Sequence, residues 1–112
     1  VPSHSSLMIA AGEALMEALA SVDFQSPEIT VIAATDANPY GDADDIRKRL
    51  SQQVFAPVHW VETVRALIER GATSIVECGP GKVLAGLVRR IDKGTPVALI
   101  DNQDSLRKAL QS

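Results

Sequence analysis

Cysteine is nearly missing from this chain: Cys78 stands alone among 112 residues. A single thiol cannot close an internal disulfide, and metal centres built on several cysteines are excluded. A reducing, cytoplasmic setting fits that usage. Aromatic residues are also scarce, at 4%, so the core must be aliphatic. Positive charge is not in excess, with 11 basic against 14 acidic side chains and a net charge of −3. That argues against general nucleic-acid binding, which needs a basic surface. No apolar run approaches the ~20 residues of a membrane span. The N-terminus lacks the apolar segment of a signal peptide. The chain carries neither an internal repeat nor a low-complexity tract.

Hydrophobic residues make up 46%, enough for a packed core. The length suits one small domain or part of a larger one. The chain starts at Val1, without a methionine or a tag, and reads as cut from inside a longer polypeptide.

Residues 6–21 place Met8, Ala11, Leu15 and Leu19 at helical spacing, with Ser3, Ser5 or Ser6 available as cap. Gly12 costs that helix roughly 1 kcal/mol relative to Ala. Residues 29–34 form a β-branched apolar run of strand length. A turn at 38–41 leads to Asp42, which caps a helix with acids first and bases last, matching the helix dipole. Pro57 suits the first turn of a third helix that turns Trp60, Val64, Leu67 and Ile68 inward and ends at Gly71. A second strand at 74–78 turns through Gly79-Pro80-Gly81 into a helix over 82–91. A third strand spans 95–100, and a last helix, 105–110, is capped by Asn102 or Asp104. Strands separated by helices predict an α/β fold with a mostly parallel sheet and flanking helices. Three strands are few for such a sheet, so the chain resembles one side of a larger domain.

The glycines of "CGPGKVL" bring a phosphate loop to mind, but the spacing is wrong and Val83 follows Lys82 where Ser or Thr is needed. A tight strand-to-helix turn is the simpler account. Asp36, Asp42, Asp44 and Asp45 lack the pattern of a calcium loop. His59 has no second His or Cys nearby, so no metal site is expected. Arg47, Lys48 and Arg49 form one basic cluster and Arg89, Arg90 and Lys93 another. They read as solvated helix faces or as docking points for an acidic partner. His4 lies next to a helix start. Lone histidines in such places are more often structural, yet a neutral imidazole there has the chemistry of a general base.

Three blocks, "VPSHSSLM", "QQVFAPVHW" and "ECGPGKVLAGLVRRI", in this order and spacing, resemble the C-terminal part of malonyl-CoA:acyl carrier protein transacylases. Acyltransferase domains of polyketide and fatty acid synthases are more distantly similar. The resemblance implies an α/β-hydrolase-like core carrying a ferredoxin-like insertion. It implies transfer of malonyl from coenzyme A to the phosphopantetheine of acyl carrier protein in fatty acid biosynthesis, through an acyl-serine intermediate and with no cofactor. His4 stands at the position of the catalytic histidine, and Gln53 at that of a residue whose main-chain carbonyl orients it. Arg89 and Arg90 match basic positions that would dock the carrier protein.

The pattern departs from the family in having no GHSxG. The arginine for the malonyl carboxylate and the oxyanion segment also lie upstream in the family. Residues 1–112 are therefore expected to be a C-terminal fragment of the large acyltransferase subdomain. The nucleophile-bearing N-terminal part and most of the insertion would be absent, and the fragment alone inactive. Two alternatives stand beside this: a fragment of a polyketide synthase acyltransferase domain, and a non-catalytic α/β interaction module.

Overall fold

A computed structural model describes residues 1–111. It divides into two compact units, Val1–Ala66 and the remainder from Leu67 onward. The boundary falls inside one helix.

In the first unit, a 3₁₀ turn at Ser6–Met8 leads into α1, Ile9–Leu19. None of the serines caps it: the Ser5 hydroxyl donates to the Pro2 carbonyl instead, at 2.7 Å. α1 packs on α2, Ala43–Gln53. They meet at Gly12, where a Cβ would stand 2.7 Å from the Phe55 ring and 2.9 Å from the Ser51 carbonyl. Glycine is required there for close approach, a reason that its helix propensity does not reveal.

Asp42 caps α2 as expected, accepting the Asp45 N–H at 2.9 Å. The helix runs past Leu50 to Gln53, so its bases fall mid-helix rather than in the last turn. Two of them are used internally, which corrects their reading as a solvated or docking cluster. Arg47 donates to the Leu19 and Val22 carbonyls at 3.1 and 2.8 Å, closing the C-terminal end of α1. Arg49 is buried. It donates to the Pro39 and Asn38 carbonyls at 2.6 and 2.8 Å and to Asp36 and Asp45 at 2.7 and 3.0 Å. Burial opposes its charge, but the two carboxylates outweigh that and raise its pKa.

The expected strand over 29–34 does not form. Among the described residues, that segment makes one isolated antiparallel bridge, Ile32 with Pro39. Tyr40 N–H and Ala33 N–H close the loop onto the Val31 and Asn38 carbonyls, both at 2.9 Å. β-branched residues favour a pleated surface only when a partner strand supplies the ladder, and Pro39 lacks the N–H to extend one.

Asp45 gives this loop a pH dependence. The Gly41 N–H first, then Arg49, hold its carboxyl below the ordinary value. A carboxyl depressed in the fold adds stability above its unfolded pKa and loses it as pH falls through the folded value. Melting temperature is therefore expected to drop as pH is lowered below about 4. Asp45→Asn should flatten that limb of the pH profile, and an unchanged slope would remove Asp45 from the account.

The third helix, α3 (Trp60–Glu69), starts three residues after Pro57. The His59 N–H is held by the Ala34 carbonyl at 2.7 Å, and the His59 carbonyl accepts the first helical bond, from Thr63 at 3.0 Å. Val64 is fully buried, and Trp60, Leu67 and Ile68 partly so. At the C-terminus the Gly71 and Ala72 N–H groups return to the Ile68 and Leu67 carbonyls, the Schellman pattern.

The second unit is a βαβ crossover. β1 (Ile75–Cys78) and β2 (Val97–Ile100) pair in parallel, with Ile75 opposite Val97 and Cys78 opposite Ile100. α4 (Val83–Ile91) connects them, and α5 (Gln103–Leu110) packs on β2. Ala85 and Val88 of α4 are buried. Burying such a Val side chain is worth roughly 1.5–3 kcal/mol. Val83, Leu84 and Leu87 on the same helix remain exposed. Asn102 caps α5 in a reciprocal capping box with Ser105, which decides between the two expected caps.

Candidate active site

His4 is carried on a short turn before α1 and is exposed. Its φ is 62°, in the left-handed region that few non-glycine residues adopt. Its own N–H holds the turn in place by donating to the Val54 carbonyl at 2.9 Å. Such a conformation persists only where its surroundings fix it, and it collects at functional sites.

The imidazole reaches across to the end of α2. Its Nδ1 lies 2.8 Å from the Gln53 carbonyl and 3.2 Å from that of Ala56. Carbonyls only accept, so in the neutral ring Nδ1 carries the proton and donates to both. Nε2 then presents its lone pair. Gln53 is the last residue of α2, and the last carbonyls of a helix lack intrahelical donors. The negative end of the helix dipole therefore lies against the ring. This arrangement can orient a base and favour a transient positive charge on it.

An open cleft of about 270 Å³ at this point is lined by Ser3, His4, Leu50, Gln53 and Val54. The Gln53 side-chain oxygen takes a long hydrogen bond from the Tyr40 hydroxyl, at 3.4 Å. Tyr40 in turn lies under the Arg49 guanidinium, 4.6 Å from its ring centre. Burial raises the Tyr40 pKa, which keeps the phenol a neutral donor. Sequence reasoning named His4 and Gln53. It missed Ala56, whose only signal is the proline that follows it.

Arg89 and Arg90 occupy the last turn of α4 in the second unit, both exposed. Arg89 reaches the Val97 carbonyl only at 3.5 Å. A cavity of about 420 Å³ within that unit lies between Arg89, residues 97–99 of β2, and Ser105 and Lys108 of α5. The glycine turn after β1 is not an open anion site. The Glu77 carboxylate already accepts the Leu84 and Ala85 N–H groups at the start of α4, at 3.3 and 2.8 Å. Among the described residues no cluster of three or more His, Cys, Asp or Glu side chains could hold a metal ion. No helix among them is long and apolar enough to cross a membrane.

The βαβ unit with its flanking helices makes this an α/β fold. Comparison with known proteins narrows this. No family model matches the chain. The malonyl CoA-acyl carrier protein transacylase of Bacillus subtilis (strain 168) is 33% identical over 111 residues, 99% of this chain and 35% of that protein. The crystal structure of an acyl-carrier-protein S-malonyltransferase from Burkholderia pseudomallei 1710b matches with TM-score 0.93 and 42% identity, over 100% of this chain and 36% of that one. A malonyl-transacylase in complex with its type II polyketide synthase acyl carrier protein matches with TM-score 0.94 and 37% identity, over 99% of this chain and 36% of the other. The chain is a homologue of the malonyl-CoA:acyl carrier protein transacylases and corresponds to their C-terminal portion. It spans about a third of the length of the relatives it matches.

Proposed function

We propose that this chain is the general-base portion of a malonyl-CoA:acyl carrier protein transacylase. It would be the C-terminal part of the large acyltransferase subdomain, working in the cytoplasm without a cofactor. The carrying observation is the His4 ring, fixed through Nδ1 on the Gln53 carbonyl at 2.8 Å with Nε2 left open. The exposed apolar side chains, among them Leu7, Ile29 and Val83, further support a piece of a larger core.

In this reading a serine from the missing N-terminal part of the same enzyme attacks the thioester carbonyl of malonyl-CoA. His4 Nε2 takes the hydroxyl proton as the Oγ–C bond forms. Coenzyme A leaves as its C–S bond breaks and takes the proton from the imidazolium. The phosphopantetheine thiol of the carrier protein then gives its proton to Nε2 and attacks the malonyl-serine ester. The serine leaves and recovers that proton. Within each half-reaction, between accepting the proton and handing it on, the ring is cationic, and the carbonyls at the end of α2 stabilise it in place of a carboxylate. Arg89 and Arg90 dock the acidic carrier protein and speed its encounter.

A polyketide pathway is the second reading, favoured by the likeness to the malonyl-transacylase bound to a type II polyketide synthase carrier protein. Carrier proteins of both kinds, tested as acceptors, separate the two.

The chain has no GHSxG elbow to supply the nucleophile. Incubated alone with radiolabelled malonyl-CoA and carrier protein, it should transfer no label. The full-length enzyme should transfer it readily. Labelling by the chain alone would overturn this division of labour.

A further inference from the structure

The segment between Gln53 and α3 holds more of this site than one carbonyl. After α2 ends, the Phe55 and Ala56 N–H groups return to the Gln52 carbonyl at 3.2 and 2.9 Å, wrapping the chain in a further turn. The Phe55 ring lies against α1 at Gly12, where no side chain stands between them. Pro57 follows, and a proline restricts the residue before it to extended backbone. Residue 56 is thus confined from both sides. Its carbonyl is 3.2 Å from the same Nδ1 that Gln53 accepts from.

We infer that Ala56 supplies a second acceptor for the His4 Nδ1–H, and that Phe55 and Pro57 are positioning residues that present it. One carbonyl leaves the ring free to swing about a single hydrogen bond. Two, from residues three apart, fix its plane and thereby the direction of the Nε2 lone pair. Which ring nitrogen bears the proton is set by the bond the other makes. A cradle of two carbonyls therefore holds the tautomer that a base acting through Nε2 requires. The inference rests on His4 being the general base for its catalytic consequence, but not for its geometry.

The test uses full-length transacylase labelled with ¹⁵N-histidine, with His4→Asn to assign the ring signals. In the wild type the Nδ1–H tautomer should dominate. Pro57→Ala frees residue 56 and should raise the Nε2–H population severalfold, with kcat about tenfold lower and KM for malonyl-CoA little changed, since a wrong tautomer disables such a base. Ala56→Gly loosens the same residue while keeping the proline, and should act in the same direction if Pro57→Ala does not fold. Predominant Nε2–H in the wild type overturns the cradle. So does a loss of melting temperature in a folded variant whose tautomer and kcat are unchanged, for Pro57 is then merely structural. If His4→Asn leaves acyl transfer intact, the general-base reading fails by itself, and the tautomer spectra still decide the cradle.

Discussion

His4→Asn in the full-length transacylase is expected to lower kcat by about 10³-fold, within the 10²–10⁴ range of a lost general base. Asparagine is the informative replacement because it tolerates the left-handed backbone at φ 62°. It keeps the turn while removing the proton acceptor. Both half-reactions should slow, release of coenzyme A from malonyl-CoA and transfer from the acyl-serine to the carrier thiol. Rapid-quench measurement of each step checks this. His4→Ala should lose the same activity and also melt at a lower temperature, since alanine adds backbone strain at that position. A His4→Asn enzyme within threefold of wild type would remove the imidazole from the chemistry.

Arg49→Met should produce the largest loss of stability, about 2–3 kcal/mol, because it removes a buried guanidinium from a charge-assisted network whose two carboxylates are partly exposed. The guanidinium fork fills two main-chain carbonyls and two carboxylates at 2.6–3.0 Å, and of its groups only Nε lacks a partner. Arg49→Lys should recover little, because a single ammonium cannot match a planar fork with four fixed acceptors. Denaturant titration of both variants reads this. A loss below about 0.5 kcal/mol for Arg49→Met would mark the network as a surface feature. The same substitution withdraws the cation from over the ring of Tyr40, whose hydroxyl reaches Gln53.

The loops of the candidate site also depend on how little room the first unit leaves. At Gly12 the Phe55 ring and the Ser51 carbonyl leave no room for a Cβ. The carbonyls that His4 uses follow directly from that contact, at Gln53 and Ala56. The helix contact and the two carbonyls facing the His4 ring thus share one short stretch, residues 51–56.

The helices, the cap at Asp42, the glycine turn after β1 and the parallel βαβ unit were legible in the sequence, whereas it left Asn102 and Asp104 open for α5 and suggested a serine cap for α1 that does not form. The legible features depend on interactions within a few residues or on a periodicity that local chemistry enforces. The three blocks carrying the family resemblance were legible as well, because their residue types, order and spacing stand in the sequence itself. Only the tertiary structure decided that residues 29–34 stay out of a sheet, because a strand exists by virtue of its partner. Only it turned Arg49 from a presumed surface charge into an internal tie, because its acceptors lie up to 13 residues away. The Gln53 carbonyl that meets the His4 ring was named through the family resemblance, but the Ala56 carbonyl, 52 residues further along than His4, emerges only in the fold. Main-chain oxygens look alike at every position of a sequence, and folding alone selects which of them a side chain will meet.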